Sequence, residues 1–212
     1  MKTRLVLMRH GETDSNSKTI FCGWTDSVLT KRGIKQAQLA GKYLDRFKFD
    51  RIYSSDLTRA VETACQTAIR QGLEIVKLQE LREIYGGLWE NKSADQILKE
   101  FKEQREKYFN GELDCQLEGG ESLNQFKERA ISVIKDIAYN SQGKTVLVVT
   151  HGGILRMLDG YLFSNKGWKD CEWYSNVGVT VAEFDGENFS LEQHNYSDFL
   201  GELRTDLDIT KI

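Results

Sequence analysis

The sequence predicts an α/β fold: a three-layer sandwich in which a mostly parallel central sheet carries helices on both faces. Two apolar runs, residues 5–8 and 146–149, indicate strands over residues 4–8 and 145–149 that are buried on both faces. Between them, short apolar segments alternate with segments of helical periodicity, which favours parallel strands joined by helices. Residues 86–120 interrupt this alternation. We therefore expect one domain over residues 1–212, with a small helical cap insert at 86–120.

A stretch rich in Gly, Ser, Thr and Asn, residues 9–29, follows the first strand and predicts a long loop. A loop of that length inside a compact domain usually has a function. Thr30 is a suitable N-cap for the helix that comes next. Helical spacing places one face of that helix at Ile34, Ala37, Gly41 and Leu44.

The middle of the chain repeats the strand–helix pattern. Residues 52–53 indicate a short strand, and we expect the polar residues 54–56 to cap a helix that stops near Gly72. Ile75–Leu78 predicts another short strand. Residues 93–109 have helical spacing, with three large side chains turned inward: Ile97, Phe101 and Tyr108.

The last third begins with a clear helix start. Residues 122–125 have the Ser-x-x-Gln pattern of a capping box. A regular apolar stripe follows at Leu123, Phe126, Ala130, Val133 and Ile137. A further helix is expected over residues 153–162. Residues 177–184 and 189–194, separated by a polar Gly-containing turn, predict an antiparallel hairpin.

Composition excludes several classes of protein. Hydrophobic residues make up 40% of the chain and charged residues 29%, as in ordinary globular proteins. A net charge of -3 gives no support to a nucleic-acid or anionic-membrane partner. We find neither a signal peptide nor a stretch of membrane-spanning length. The 4 cysteines form no CxxC pair, so we expect reduced thiols and a cytoplasmic protein. The sequence leaves the oligomeric state open, and a homodimer is one of the states that it allows.

Two of the 3 histidines follow the two buried strands. His10 follows the predicted strand 4–8, after Arg9, and precedes Gly11. His151 follows the predicted strand 145–149, after Thr150, and precedes Gly152. Ligands of open α/β sheets bind in the crevice outside the carboxyl ends of the strands. The spacing therefore predicts one active site assembled from both ends of the chain.

The residues around His10 favour phosphate over metal. Arg9 puts a fixed positive charge beside the imidazole, which opposes a cation but can grip a phosphate through two parallel hydrogen bonds. Gly11 allows a close backbone approach, and Asn16 adds a neutral donor. The histidines show no HxH, HxxxH or HExxH spacing, so we expect no metal site, and we take His194 as structural.

Residues 9–16 resemble the RHGE[ST]xxN signature of the histidine phosphatase superfamily, which includes cofactor-dependent phosphoglycerate mutases and many small phosphatases. The resemblance covers most of the chain, because five further segments match that family's motifs in its order. These segments are residues 21–33, 53–63, 81–90 and 119–122, with residues 149–153 completing the set.

The resemblance implies a role for each catalytic position. His10 would be the nucleophile that carries the phosphoryl group as a phosphohistidine. Arg9 and Arg59 would hold the phosphoryl oxygens, on which transition-state charge develops. His151 would be a second, protonated pocket histidine. Glu83 would be the proton donor, which requires a raised pKa; burial would raise that pKa and nearby arginines would lower it.

The same resemblance implies further contacts to phosphate or substrate, at Thr13, Asn16, Cys22, Gly23 and Gly152. A helix that starts at Gly152 would present its N–H groups to an anion. No cofactor and no metal are implied. The leaving-group pocket would lie in the cap, with four large side chains as candidates: Tyr85, Leu88, Tyr108 and Phe109.

Two departures from the family pattern bear on function. Asn91 stands where the third motif usually has Gly, and Asn tolerates left-handed backbone. The chain also lacks the longer mutase insert, whose arginines hold the second acidic group of the substrate. Between Gly87 and Gly120 the only arginine is Arg105, which favours water as the phosphoryl acceptor.

We therefore expect a metal-independent phosphomonoester hydrolase that acts on a small phosphorylated metabolite. The chain most resembles the branch of α-ribazole-phosphate and broad-specificity phosphatases, so α-ribazole 5'-phosphate and cobalamin biosynthesis are candidates. Two alternatives remain open. One is a cofactor-dependent phosphoglycerate mutase, and the other is a catalytically silent module that binds a phospholigand.

Overall fold

The computed structural model describes residues 1–205, and in this part of the chain six strands form one sheet. The strands are β1 (Thr3–Arg9), β2 (Arg51–Ser55), β3 (Ile75–Leu78), β4 (Thr145–Thr150), β5 (Val179–Phe184) and β6 (Phe189–Tyr196). Their order across the sheet is β3-β2-β4-β1-β5-β6. The pairs β3–β2, β2–β4 and β4–β1 are parallel, whereas β1–β5 and β5–β6 are antiparallel. The predicted mostly parallel sheet and terminal hairpin are confirmed.

Seven α-helices lie within residues 1–205: α1 (Asp14–Ser17), α2 (Lys31–Leu44), α3 (Thr58–Gln71), α4 (Ala94–Glu100), α5 (Lys102–Asn110), α6 (Leu123–Asn140) and α7 (Gly152–Leu158). A π-helical turn, Asp159–Phe163, continues α7. In the part of the chain that the structure describes, no helix is both long enough and apolar enough to cross a membrane.

The alternation of side chains along β1 divides the core between the two faces of the sheet. Leu5 and Leu7 pack with the buried residues of α6 and α7, whereas Val6 and Met8 pack with those of α2 and α3. Successive strand residues point to opposite faces, so a strand buried on both faces must be apolar throughout. The three-layer sandwich predicted from the sequence is confirmed.

Several helix ends form as their sequence signals predict. Thr30 caps α2 by accepting a hydrogen bond from the Gly33 amide. Gly72 ends α3 in left-handed conformation, at φ 66°. Ser122 and Gln125 make both hydrogen bonds of the capping box at the start of α6, and the whole predicted stripe of α6 is buried.

The predicted apolar face of α2 is wrong at one residue. Ile34 is 43% exposed, and the buried face runs instead through Gly33, Ala37, Ala40 and Leu44. The cause is the loop after β1, which packs on the first turn of α2. A Cβ at Gly33 would lie only 2.0 Å from the Glu12 carbonyl oxygen, so this close approach turns Gly33 inward.

Residues 54–56 do not cap α3. The N-cap residue is Leu57, which makes no side-chain cap bond. The Thr58 amide instead donates to both carboxylate oxygens of Asp26, at 3.1 and 3.0 Å. The cap therefore comes from the loop 9–29, which also contains the short helix α1 where we predicted only loop.

The insert region 86–120 is helical, but the helix predicted over 93–109 is broken in two. Phe101, with φ -132° and ψ 37°, separates α4 from α5. Ile97 and Tyr108 are buried as predicted, while Phe101 is only partly buried. Their side chains join the core that lies between the sheet and helices α6 and α7. The predicted insert therefore packs on the same face of the sheet as α7, the helix that follows His151.

Candidate active site

The two strand-end histidines meet at one edge of the sheet. β1 and β4 are adjacent and parallel, with Arg9 opposite Thr150, so both strands end at the same level. The His10 amide donates to the Thr150 carbonyl at 2.9 Å. The ring centroids of His10 and His151 are 5.2 Å apart. The two ends of the chain thus build one site, as their spacing predicts.

His10 keeps the lone pair of one ring nitrogen. Its Nδ1 lies 2.7 Å from the Gly11 carbonyl oxygen. A carbonyl only accepts, so Nδ1 carries the proton and Nε2 keeps its lone pair. Burial, followed by the charges of Arg59 and Arg9, holds the pKa of His10 well below its usual range. The imidazole is therefore neutral and able to attack an electrophile.

His151 is also neutral in this structure, which differs from the protonated form that we expected. Burial, followed by the positive charge of Arg59, holds the pKa of His151 well below its usual range. Its Nε2 lies 2.8 Å from Ser55 Oγ. Its Nδ1 is buried and has no hydrogen-bond partner among the described residues. A phosphoryl dianion bound nearby would favour the protonated form.

Arg9 supplies a buried cation beside both rings. Its Nη1 donates to the Tyr174 carbonyl at 2.7 Å, which fixes the guanidinium, while the buried Nε has no partner in the described part of the chain. Burial lowers the pKa of Arg9 to about 10, so the charge persists at neutral pH. A Cβ at Gly152 would lie 3.3 Å from that Nε; Gly152 therefore lets the guanidinium approach the first turn of α7.

Arg59 is occupied in a way that the sequence did not reveal. Its terminal nitrogens donate to the carbonyl oxygens of three loop residues, at 2.7 to 3.3 Å: Cys22, Gly23 and Thr25. The side chain is 1% exposed. Arg59 thus anchors the loop against the start of α3, and its contact with phosphoryl oxygens stays a prediction.

Cys22 and Gly23 belong to the loop segment that Arg59 anchors. Cys22 Sγ donates to the Thr25 carbonyl at 2.8 Å and lines a cavity beside the site. A Cβ at Gly23 would lie 2.1 Å from the Ile84 carbonyl oxygen, so only glycine fits there. These two residues shape the site; direct contact with phosphate stays a prediction.

Thr13 and Asn16 cap α1 for each other. The Asn16 amide donates to Thr13 Oγ1, and the Thr13 amide donates to Asn16 Oδ1, both at 3.2 Å. Asn176 Nδ2 donates to the same oxygen at 3.3 Å. Because Asn16 Oδ1 accepts two hydrogen bonds, its amide nitrogen is the end left to donate into the cavity that it lines. Thr13 therefore contributes to the site by holding Asn16 in place through these hydrogen bonds.

Glu83 is held in place by two backbone amides. Its Oε2 accepts from the Gly153 amide at 2.8 Å, and its Oε1 accepts from the Ile84 amide at 2.9 Å. The side chain is partly buried, and burial raises its pKa, outweighing the opposing hydrogen bonds and the charges of Arg59 and Arg9. The balance that the sequence left open is thus decided in favour of a raised pKa.

A cavity of about 110 Å³ opens beside Glu83. Its walls are mostly aromatic and aliphatic, and they include Tyr108 and Phe109, as expected for a leaving-group pocket. Tyr85 and Leu88, expected in the same pocket, are 38% and 51% exposed and lie outside its lining. The 3-10 turn Gly87–Trp89 brings Trp89 to the cavity instead.

Asn91 adopts φ 64°, the left-handed conformation that Gly would have at this position of the motif. Its amide donates to the Phe21 carbonyl at 3.0 Å, and its Nδ2 donates to Thr25 Oγ1 at 3.3 Å. The departure from the family pattern is therefore accommodated in a left-handed backbone conformation that asparagine tolerates.

Three positioning groups escaped the sequence reasoning. Glu90 accepts hydrogen bonds from four backbone amides, at 2.9 to 3.2 Å: Gly23, Trp24, Thr25 and Gly86. Arg129 donates to the Glu83 carbonyl at 3.1 Å and pairs with Glu121. Asn176 donates to the His10 carbonyl at 3.1 Å. Glu90 and Glu121 lie within quoted motifs, but nothing in the sequence identifies their backbone partners.

These groups define a class of protein. A neutral imidazole, buried guanidinium groups and a carboxyl group of raised pKa meet at one edge of the sheet, a combination suited to phosphoryl transfer. Within residues 1–205, no group of three or more His, Cys, Asp or Glu side chains is arranged to hold a metal ion.

Comparison with known proteins gives the family. The model of the histidine phosphatase superfamily (branch 1) matches residues 5–197. Phosphoserine phosphatase 1 of Hydrogenobacter thermophilus is 31% identical over 203 residues, which cover 94% of this chain and 95% of the relative.

Two solved structures share the fold over nearly the whole chain. The YhfR protein of Bacillus stearothermophilus superposes with a TM-score of 0.88 at 30% identity, over 93% of this chain and 99% of the other. The α-ribazole phosphatase of Shigella flexneri gives a TM-score of 0.81 at 27% identity, over 92% and 96%. The chain belongs to the histidine phosphatase superfamily and is an enzyme of the histidine phosphatase type.

Proposed function

We propose that this protein is a metal-independent phosphomonoester hydrolase that works through a phosphohistidine at His10. The observation that carries the proposal is the state of three groups at the end of β1 and β4. His10 is neutral with Nε2 free to attack, Arg9 is a fixed cation beside it, and Glu83 has a raised pKa. His10 and Arg9 have the charges that phosphoryl transfer to histidine requires, and the raised pKa of Glu83 favours a proton donor.

In the first step, the lone pair of His10 Nε2 attacks phosphorus. The bond between phosphorus and the ester oxygen breaks, and that oxygen takes the electron pair. Glu83 donates its proton to the departing oxygen, so the product leaves as an alcohol. Arg9 Nε and His151 Nδ1 have no partners among the described residues, and they would bond the phosphoryl oxygens as negative charge grows there.

In the second step, water attacks the phosphorus of the phosphohistidine. Glu83, now a carboxylate, takes a proton from this water. The bond between phosphorus and Nε2 breaks, and its electron pair returns to His10, which restores the neutral imidazole. Nδ1 stays protonated throughout because it donates to the Gly11 carbonyl.

We propose α-ribazole 5'-phosphate as one candidate substrate among small phosphorylated metabolites, which would place the enzyme in cobalamin biosynthesis. The similarity to a solved α-ribazole phosphatase supports this candidate, and the similarity to a phosphoserine phosphatase supports phosphoserine equally well. A hydrolysis screen that contains both esters decides between them through the ratio of their kcat/KM values.

We also propose that the enzyme acts in the cytoplasm on soluble metabolites. The four cysteines, all within the described part of the chain, are free thiols, and a reducing compartment keeps thiols in that state. Separation of cell fractions followed by immunodetection tests this location, and recovery of the protein outside the cytoplasmic fraction would contradict it.

The test of the activity uses 4-nitrophenyl phosphate in the presence of excess chelator. The wild-type protein is expected to release nitrophenol at an undiminished rate, and the His10→Ala variant to release none. His194→Gln is the matched control, because this histidine lies outside the site, bonded to Asp159, and should keep turnover. Loss of activity on chelation, or activity retained in His10→Ala, would overturn the proposal.

The mutase and the silent binding module make different predictions. A mutase would exchange 2- and 3-phosphoglycerate faster than it releases phosphate, and a silent module would bind phosphate esters without turnover. Arg105 is the only arginine in the insert region between Gly87 and Gly120, which favours hydrolysis. A coupled assay of phosphoglycerate exchange against phosphate release decides among the three.

A further inference from the structure

A bulge in the edge strand β6 holds Asn195 in an uncommon backbone conformation. The register of β6 against β5 shifts between Val179 and Val181, where β6 contains one extra residue. Asn195 lies in this bulge with φ 42°, and its backbone amide donates to Thr180 Oγ1 at 3.0 Å. Left-handed backbone is uncommon outside glycine, and a bulge redirects the side chain that it carries. The bulge therefore determines where the Asn195 side chain lies.

The side chain of Asn195 bonds the backbone on both sides of Tyr174, in the segment that precedes β5. The Ser175 amide donates to Asn195 Oδ1 at 3.1 Å, and Asn195 Nδ2 donates to the Trp173 carbonyl at 3.3 Å. A backbone amide only donates and a carbonyl only accepts, so these partners fix the orientation of the side-chain amide. A Cβ at Gly178 would lie 2.2 Å from Asn195 Oδ1; this glycine therefore leaves the space that the amide occupies.

The peptide group that Asn195 bonds also holds Arg9. The Tyr174 carbonyl and the Ser175 N–H belong to one planar peptide group, in which they point in opposite directions. Asn195 Oδ1 accepts from the N–H, while Arg9 Nη1 donates to the carbonyl at 2.7 Å. Within residues 1–205 this is the only hydrogen bond of the Arg9 guanidinium. The position of that guanidinium therefore depends on where this one peptide group lies.

We propose that Asn195 is a positioning residue for Arg9: by holding the peptide group between Tyr174 and Ser175, it fixes the guanidinium beside His10. This inference rests on the proposed hydrolase, in which Arg9 bonds the phosphoryl oxygens as negative charge grows there. A preorganised cation acts only if it already lies where that charge develops. The terminal hairpin thus contributes to phosphoryl transfer from the edge of the sheet, through its bulge.

The experiment begins with Asn195→Gly, which removes the side chain and keeps the bulge, because glycine adopts positive φ without strain. We expect kcat/KM for phenyl phosphate to fall about tenfold, less than the roughly 100-fold that a 1 Å misplacement can cost, because Tyr174 stays fully buried. The matched control is Asn165→Gly. Asn165 is also left-handed, with φ 54°, but it is exposed, so this variant should keep the wild-type value.

A double-mutant cycle separates positioning of Arg9 from a general loss of structure. Arg9→Gln removes the guanidinium, so Asn195→Gly should lower kcat/KM by less than about twofold in that background. The cycle is repeated with the Kd of inorganic phosphate, measured by titration calorimetry, which needs no turnover. Asn195→Gly should weaken phosphate binding about fivefold when Arg9 is present, as a charge-assisted hydrogen bond is partly lost, and by less than about twofold beside Arg9→Gln.

A wild-type kcat/KM in Asn195→Gly would overturn the inference and leave the proposed hydrolase intact. Equal losses with and without Arg9 would also overturn it, because Asn195 would then act on the fold as a whole. A loss in Asn165→Gly as large as that in Asn195→Gly would have the same consequence. Absence of hydrolysis by the wild-type protein would overturn the proposed function, while the cycle on phosphate Kd would still test whether Asn195 positions Arg9.

Discussion

Substitution of Gly153 by alanine should disable Glu83 without unfolding the protein. A Cβ built at Gly153 lies 2.1 Å from Glu83 Oε1, while ordinary contacts of this kind begin near 3.4 Å. The carboxyl group must therefore move by about 1 Å, and a displacement of that size in a catalytic group can cost roughly 100-fold in rate. The helix itself gains, because alanine stabilises a helix by about 1 kcal/mol relative to glycine.

The assay for Gly153→Ala compares two leaving groups. Phenol is a poorer leaving group than 4-nitrophenol and depends more on a proton from Glu83. We expect kcat to fall about 100-fold with phenyl phosphate and much less with 4-nitrophenyl phosphate. Thermal unfolding should show an unchanged or higher Tm, which separates the catalytic effect from a loss of structure.

A second variant tests whether the clash is the cause. In Glu83→Asp the side chain is one methylene shorter and withdraws from the position of the new Cβ. Adding Gly153→Ala to Glu83→Asp should therefore cost little more than Glu83→Asp alone, a strongly non-additive pair. Full activity of Gly153→Ala towards phenyl phosphate would refute the reasoning, because it would show that the observed position of Glu83 does not matter for proton transfer.

Two further predictions concern groups outside the reacting centre. Glu90→Ala removes the acceptor of four backbone amides, so we expect a loss of about 1–3 kcal/mol in the free energy of unfolding, with faster amide exchange in residues 22–26; unchanged exchange would contradict this. The hydrogen bond with Asp159 raises the pKa of His194, so its contribution to stability is complete below about pH 6.5 and is lost as pH rises through the higher folded-state pKa. Urea unfolding at pH 6 and pH 8 should show this decline in wild type and not in His194→Gln, and equal slopes would contradict it.

Sequence reasoning brought His10 and His151 together because their positions follow from local rules. A buried strand of four or five apolar residues ends where polarity returns, and parallel strands bring such ends together. His10 and His151 could be placed beside each other on that ground alone. The capping box that begins α6 and the left-handed glycine that ends α3 also depend on neighbouring residues alone. They too could therefore be predicted.

What sequence reasoning missed depends on contacts between distant segments. Asp26 caps α3 from 32 positions away, and this cap replaces the local one that we expected. Glu90 bonds backbone amides of a loop more than 60 residues earlier, and backbone groups carry no sequence signal. The break at Phe101 occurs without Gly or Pro. Ile34 was predicted to lie on the buried face of α2, but it is exposed. The packing of the loop after β1, and not the periodicity of α2, decides which side of this helix is covered.

The protonation states also needed the structure. His151 has a positive neighbour on several sides and lies fully buried, so its pKa is lowered, whereas the sequence showed only its place before Gly152. For Glu83 the direction depended on burial against nearby arginines, and the structure shows that burial prevails.

The phosphohistidine itself is the most direct measure of the central claim. Wild-type protein mixed with 4-nitrophenyl phosphate in excess chelator, quenched rapidly in alkali and examined by mass spectrometry, should carry one phosphoryl group on the peptide that contains His10. His10→Ala should carry none and release no nitrophenol. Turnover by His10→Ala, or a phosphoryl group on another residue of the turning-over wild type, would contradict the account.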